Sequence, residues 1–136
     1  VATWHEEEWK SGDALIDSEH LKLHETIRSM TAVIGNDPGL GLAAEAVDVL
    51  IERLRIHFRM EENLAAPRVR PEALARLKED HQRLLRLLPA VGAALQAGDC
   101  ERARRLMGDF HTQLDTHDRE VDIPMFRRRP PSGCDN

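Results

Sequence analysis

Residues 47–64 read VDVLIERLRIHFRMEENL. Within them Val47, Leu50, Ile51, Leu54, His57, Phe58, Glu61 and Leu64 recur at steps of three and four, the signature of one helix face. Two members of that apolar stripe, His57 and Glu61, are titratable and stand one turn apart, pointing the same way. The fold and the chemistry are both legible from this stretch, provided the rest of the chain repeats the pattern.

It does so three more times. A first helix is predicted from about Asp17 to Ile34, with Ile16, His20, Leu23, His24, Ile27, Met30 and Ile34 on its stripe. Asp17 or Ser18 is its expected cap, and Gly35-Asn36-Asp37-Pro38-Gly39 ends it. The second runs from about Leu42 to Ala66. The third, from about Glu72 to Gln96, carries Leu74, Leu77, His81, Leu84, Leu85, Leu88, Val91 and Leu95, with Pro89 expected to kink it or interrupt its hydrogen bonding. The fourth, from about Cys100 to Val121, carries Ala103, Leu106, Met107, Phe110, Leu114, His117 and Val121, and Pro124 is expected to limit it. Four helices of about 30 Å joined by short loops imply an all-α, antiparallel, up-down-up-down four-helix bundle over residues 1–126, followed by a flexible tail at 127–136.

Composition agrees. The 136 residues suit one domain, and 41% hydrophobic with 32% charged residues is an ordinary globular balance. The net charge of −5 disfavours nucleic acid as a partner, and the short arginine runs near residues 102–105 and 127–129 read as a solvated face and a tail. No apolar run approaches the ~18 residues of a membrane span. The N-terminus lacks the basic and apolar stretches of a signal peptide. Cys100 and Cys134 read as free thiols in a reducing, cytoplasmic setting.

Each apolar stripe is interrupted by ionisable groups: His20 on the first helix, His57 and Glu61 on the second, His81 on the third, His117 on the fourth, with Asp122 five positions further on. Each such group buried without a partner costs several kcal/mol, and six would consume a typical total stability of about 5–15 kcal/mol. A metal pair compensates them together, since carboxylates bridge cations and neutral imidazoles complete each shell. His5 and His111 read as surface residues, the latter because it points away from the His117 face. Glu62, Asp80 and Asp118 flank the presumed ligands and either orient imidazoles or are solvated.

These residues resemble the haemerythrin family. The resemblance rests on Gly12-x-x-x-Ile16-Asp17-x-x-His20, His57-Phe58-x-x-Glu61-Glu62, Lys78-Glu79-Asp80-His81 and Leu114-x-x-His117-x-x-x-x-Asp122, with Trp4 upstream. It implies two iron ions in an oxo- or hydroxo-bridged centre, with His20 and His57 on one, His81 and His117 on the other, and Glu61 and Asp122 between them. It further implies that O2, or another small diatomic or peroxide ligand, is the partner, bound for storage, delivery or sensing, in some members as part of a larger signalling protein. The chain departs from the family pattern in three places. Leu77 stands where a further histidine ligand is usual, Gln113 where tryptophan is usual, and Asp118 where an apolar residue is usual. The gap at Leu77 is filled either by another side chain, His24 first, or by water. The second outcome moves the expectation towards a di-iron peroxidase or oxidase, or an NO- or peroxide-reactive protein. A regulatory module binding zinc or a single metal is the remaining alternative.

Overall fold

Asp13 starts the first helix. Its carboxylate accepts the backbone N–H groups of Leu15 (3.0 Å) and Ile16 (3.2 Å), two donors with no partner inside the helix. The expected caps lie further on, and Asp17 serves differently: its carboxylate accepts both the backbone N–H and the hydroxyl of Ser11, each at 2.8 Å. Gly12, at φ 91°, supplies the left-handed turn between them.

The computed structural model describes residues 11–36 and 40–127. Four long helices follow one another: α1 (Ala14–Asn36), α2 (Leu40–Ala65), α3 (Pro71–Gln96) and α4 (Cys100–His117). A π-helical turn, Asp118–Asp122, continues α4 into a short α5 (Ile123–Arg127). No strand occurs among the described residues, and the chain is an all-α four-helix bundle. Trp4, His5, Cys134 and nearly all of the expected tail lie outside the described residues.

The predicted boundaries hold to within a few residues except at the two ends. The first helix begins earlier because Asp13, not Asp17, caps it. The last continues past Pro124 to Arg127 because the helix widens to a π turn just before the proline. Between α3 and α4, Gly98 takes φ 78°, its N–H donates to the Leu95 carbonyl, and the Asp99 N–H donates to Ala94, a Schellman ending. Asp99 then caps α4 by accepting the Arg102 N–H at 3.0 Å.

Contacts between α3 and α4 run in opposite senses: Asp80 meets His117, and Arg83 meets Gln113. Between α1 and the π turn, His24 meets Asp118 and His20 meets Asp122. The core falls into two parts. The larger one includes Ile27, Leu54, Phe58, Leu84, Leu88, Met107, Phe110 and Leu114. The smaller one consists of Ile16, Ala65, Leu77 and Phe126. Each of these four stands four residues, about one turn, from a predicted ligand: Ile16 from His20, Ala65 from Glu61, Leu77 from His81 and Phe126 from Asp122. The predicted site is therefore a polar layer between two apolar ones. No helix among the described residues is long and apolar enough to cross a membrane.

Pro89 is exposed inside α3, where it removes a helical N–H from an otherwise continuous helix. Pro89→Ala restores that donor without touching the core. It is expected to raise stability by up to ~3 kcal/mol in denaturant unfolding, with the slope unchanged.

Candidate metal centre

Helical periodicity delivers five of the six predicted residues to one layer, and the π turn delivers the sixth. His20, His57, Glu61, His81, His117 and Asp122 are all buried. Their donor atoms form overlapping groups: Glu61, His81, His117 and Asp122 in one, and His20, His57 and Glu61 in another, each within 4.8 Å. A third group joins His20 and Asp122 to Asp118.

Glu61 occupies the middle. Its Oε2 lies 2.8 Å from His20 Nε2, and its Oε1 lies 3.3 Å from His57 Nε2 and 3.4 Å from His81 Nε2. Asp122 spans the other side, with Oδ1 2.9 Å from His117 Nε2 and Oδ2 3.5 Å from His20 Nε2. Ligand bonds of about 2.0–2.2 Å put neighbouring donors on one ion roughly 3 Å apart, which matches these separations.

The inward atoms lack hydrogen-bond partners. They include Nε2 of His57, His81 and His117, Glu61 Oε1 and both oxygens of Asp122. An apolar layer above and below leaves such atoms costly unless something positive sits among them. The donor set, imidazole nitrogen plus carboxylate oxygen, fits divalent iron and related cations.

Outer partners hold two of the rings in place. His81 donates from Nδ1 to Glu62 (2.7 Å) and lies face to face with Phe58, ring centroids 4.0 Å apart and 5° from parallel. His117 donates from Nδ1 to Asp80, which Arg83 in turn engages at 2.7 Å. These bonds place the proton on Nδ1 and aim each Nε2 inward, the arrangement metal-binding histidines favour. Glu62 and Asp80 thus take the orienting role that the sequence left open.

His24 and His111 correct the sequence reading. His111 is buried, not a surface residue, and its Nε2 lies 2.9 Å from His24 Nδ1. His24 Nε2 is 2.7 Å from Asp118 Oδ2, so both His24 nitrogens are engaged away from the Leu77 position. Asp118 is fully buried, and its Oδ1 lies 3.7 Å from His20 Nε2. The sequence placed Asp118 only near the ligands. The signal that it is buried was its departure from the usual apolar residue beside His117.

The electrostatics follow from crowding. Burial disfavours a charged His20, yet Asp118, Asp122 and Glu61 outweigh it and raise its pKa well above the usual value. His117 is likewise opposed by burial and pushed up to about 9 by Asp122, Asp118 and Glu61. Burial and then the Glu61 charge push the Asp122 carboxyl up to about 6. Glu61 is held low against burial by His57, His20 and His81, and Asp118 by His20 and His24. Burial and the neighbouring His24 push His111 down to about 4.

A stability change with pH follows. His117 and His20 bind their protons more tightly folded than unfolded, so their contribution is complete below pH 6.5 and is lost as pH rises towards 9. Asp122 loses its own contribution below that window, between 3.8 and about 6, while Glu61 and Asp118 add a constant amount within it. The melting temperature of metal-free protein is expected to fall from pH 6.5 to 9. Affinity for Fe(II) is expected to rise over the same range, about tenfold per unit for each proton displaced. Thermal melts and metal titrations at matched ionic strength check both; a flat metal-free profile would contradict the charge assignment.

Comparisons with curated proteins and with solved structures returned no match. The family model described as the haemerythrin HHE cation-binding domain matches residues 11–127, from the Ser11 entry to the end of α5. The chain therefore belongs to the haemerythrin HHE cation-binding family, a helical metal-binding domain.

Proposed function

We propose that the chain holds two iron ions and binds O2 or a closely related small ligand. In this reading His20 and His57 hold one ion, His81 and His117 the other, and Glu61 and Asp122 lie between them. Bound iron supplies the redox-active Lewis-acid positions at which such a ligand is taken up.

The observation that carries the reading is the environment of Leu77. It is buried one turn before His81 and packs with Ile16, Ala65 and Phe126. Where the family usually places a histidine, this chain presents an apolar wall. That leaves the ion of His81 and His117 one protein donor fewer, beside side chains that suit an apolar diatomic better than water or an anion. Phe58 and Leu114, both buried, close the layer from the other side. A surface cleft of about 1320 Å³ lies beside that wall; it is lined by Leu77, Val121, Pro124 and Met125 and by charged side chains, among them Arg76, Asp80 and Arg83.

A second reading, a di-iron peroxidase or oxidase, draws on the same missing histidine, because fewer protein donors leave more room for a reacting ligand. The two part on behaviour. Protein reconstituted anaerobically with Fe(II) is expected to hold two irons per chain. It should gain an absorption band on exposure to O2 and lose it on deoxygenation. Peroxide consumed with a reductant, and no reversible band, would favour the enzyme. Zinc, or less than one iron per chain, would favour a regulatory module, and no metal at all would end the proposal. Leu77→His should restore a donor and weaken the O2-dependent band while keeping two irons bound.

A further inference from the structure

Asp118 is buried at 0% exposure, follows His117 directly, and is not among the six donors assigned above. Its two oxygens have different surroundings. Oδ2 is held at 2.7 Å by His24 Nε2, and His24 is braced through Nδ1 by His111 at 2.9 Å. Neutral rings carrying the proton on Nε2 satisfy both bonds at once: His111 donates to His24, and His24 donates to Asp118. Oδ1 has no hydrogen-bond partner, is buried, and faces the His20 side of the centre, 3.7 Å from His20 Nε2. Its donor atom falls within 4.8 Å of those of His20 and Asp122.

A carboxylate fixed through one oxygen by a histidine, with the other oxygen bare and aimed at a cluster of ligand atoms, is how outer hydrogen bonds orient a metal-binding carboxylate. We propose that Asp118 is a seventh protein donor, a terminal carboxylate on the ion held by His20 and His57, and that His24 and His111 are its positioning residues. This rests on the two-metal reading. The chain then compensates for the histidine missing at Leu77 on the opposite ion. It exchanges one neutral imidazole for one anionic oxygen, so that Glu61, Asp122 and Asp118 place three carboxylates against the two cations. The lower net charge favours harder and more oxidised metal, and the pair becomes asymmetric: donor-rich beside His20, donor-poor beside Leu77.

The test is an anaerobic Fe(II) titration by calorimetry, with bound iron counted independently, on the full chain and its variants. Asp118→Asn keeps the size of the side chain and a hydrogen-bonding oxygen for His24 but removes the charge. It should weaken one of the two sites by about 10–100-fold and leave the other within about threefold. His24→Leu, which leaves Asp118 in place but unheld, should weaken the same site by about tenfold. The effect of Asp118→Asn should be non-additive with His57→Ala and additive with His81→Ala, because only the first pair shares an ion. Both sites unchanged, or both weakened equally, would overturn the assignment. Should Asp118→Asn fail to fold by circular dichroism, His24→Leu decides: unchanged affinity at both sites overturns it. A wild-type chain that takes up fewer than two irons would instead defeat the two-metal reading itself.

Discussion

Glu61 is wholly buried, and its two oxygens meet imidazoles from three helices: His20 on α1, His57 on its own helix and His81 on α3. A carboxylate at that depth is tolerable only among positive partners, and removing one partner from such a cluster costs far more than the pair contributes. Asp122 makes the constraint sharper. The charge on Glu61 helps hold its carboxyl proton up to about 6, so metal-free protein keeps these acids together by retaining protons on His20, His57 and His117. Cations relieve the same crowding without protons. Binding and proton release are thus two descriptions of one balance.

The apolar layers give that balance its force. Ile16, Ala65, Leu77 and Phe126 close one side of the polar layer, one from each helical arm, and Phe58, Phe110 and Leu114 close the other. Low polarity on both sides strengthens every interaction inside and raises the cost of leaving any atom unpaired. A leucine at position 77 suits such a layer, since it extends a surface that its three neighbours already make apolar. The packing of that layer is therefore whole with leucine at this position.

Sequence periodicity revealed the four helices and five of the six clustered residues because a helix repeats every three to four positions and each stripe was interrupted at one level. It failed where a residue faced a second neighbour. His111 lies six positions before His117, about 120° round the helix from it. The sequence took that direction for solvent. In a four-helix bundle each helix touches two others, and that face of α4 lies against α1, where His24 waits. Asp118, about 100° from His117, is buried for the same reason. The early start of α1 escaped notice differently: Asp13 and Asp17 are equally good caps on paper, and the contacts separate their roles, Asp13 accepting the Leu15 and Ile16 N–H groups and Asp17 holding Ser11.

The spacing of His117 and Asp122 explains the shape of the last helix. In a regular α-helix residues five apart diverge by about 140°, so these two could not share one face. The π turn at Asp118–Asp122 widens the helix by one residue, and the Ile123 N–H donates back to the Asp118 carbonyl, five positions earlier. Pro124 supplies a local cause. It offers no N–H, and its ring would collide with the carbonyl four residues before it, at Glu120, in a regular α-helix. Widening the turn ahead of the proline relieves that collision and brings Asp122 round beside His117. The residue that the sequence marked as the end of the helix therefore favours the bulge that completes the site.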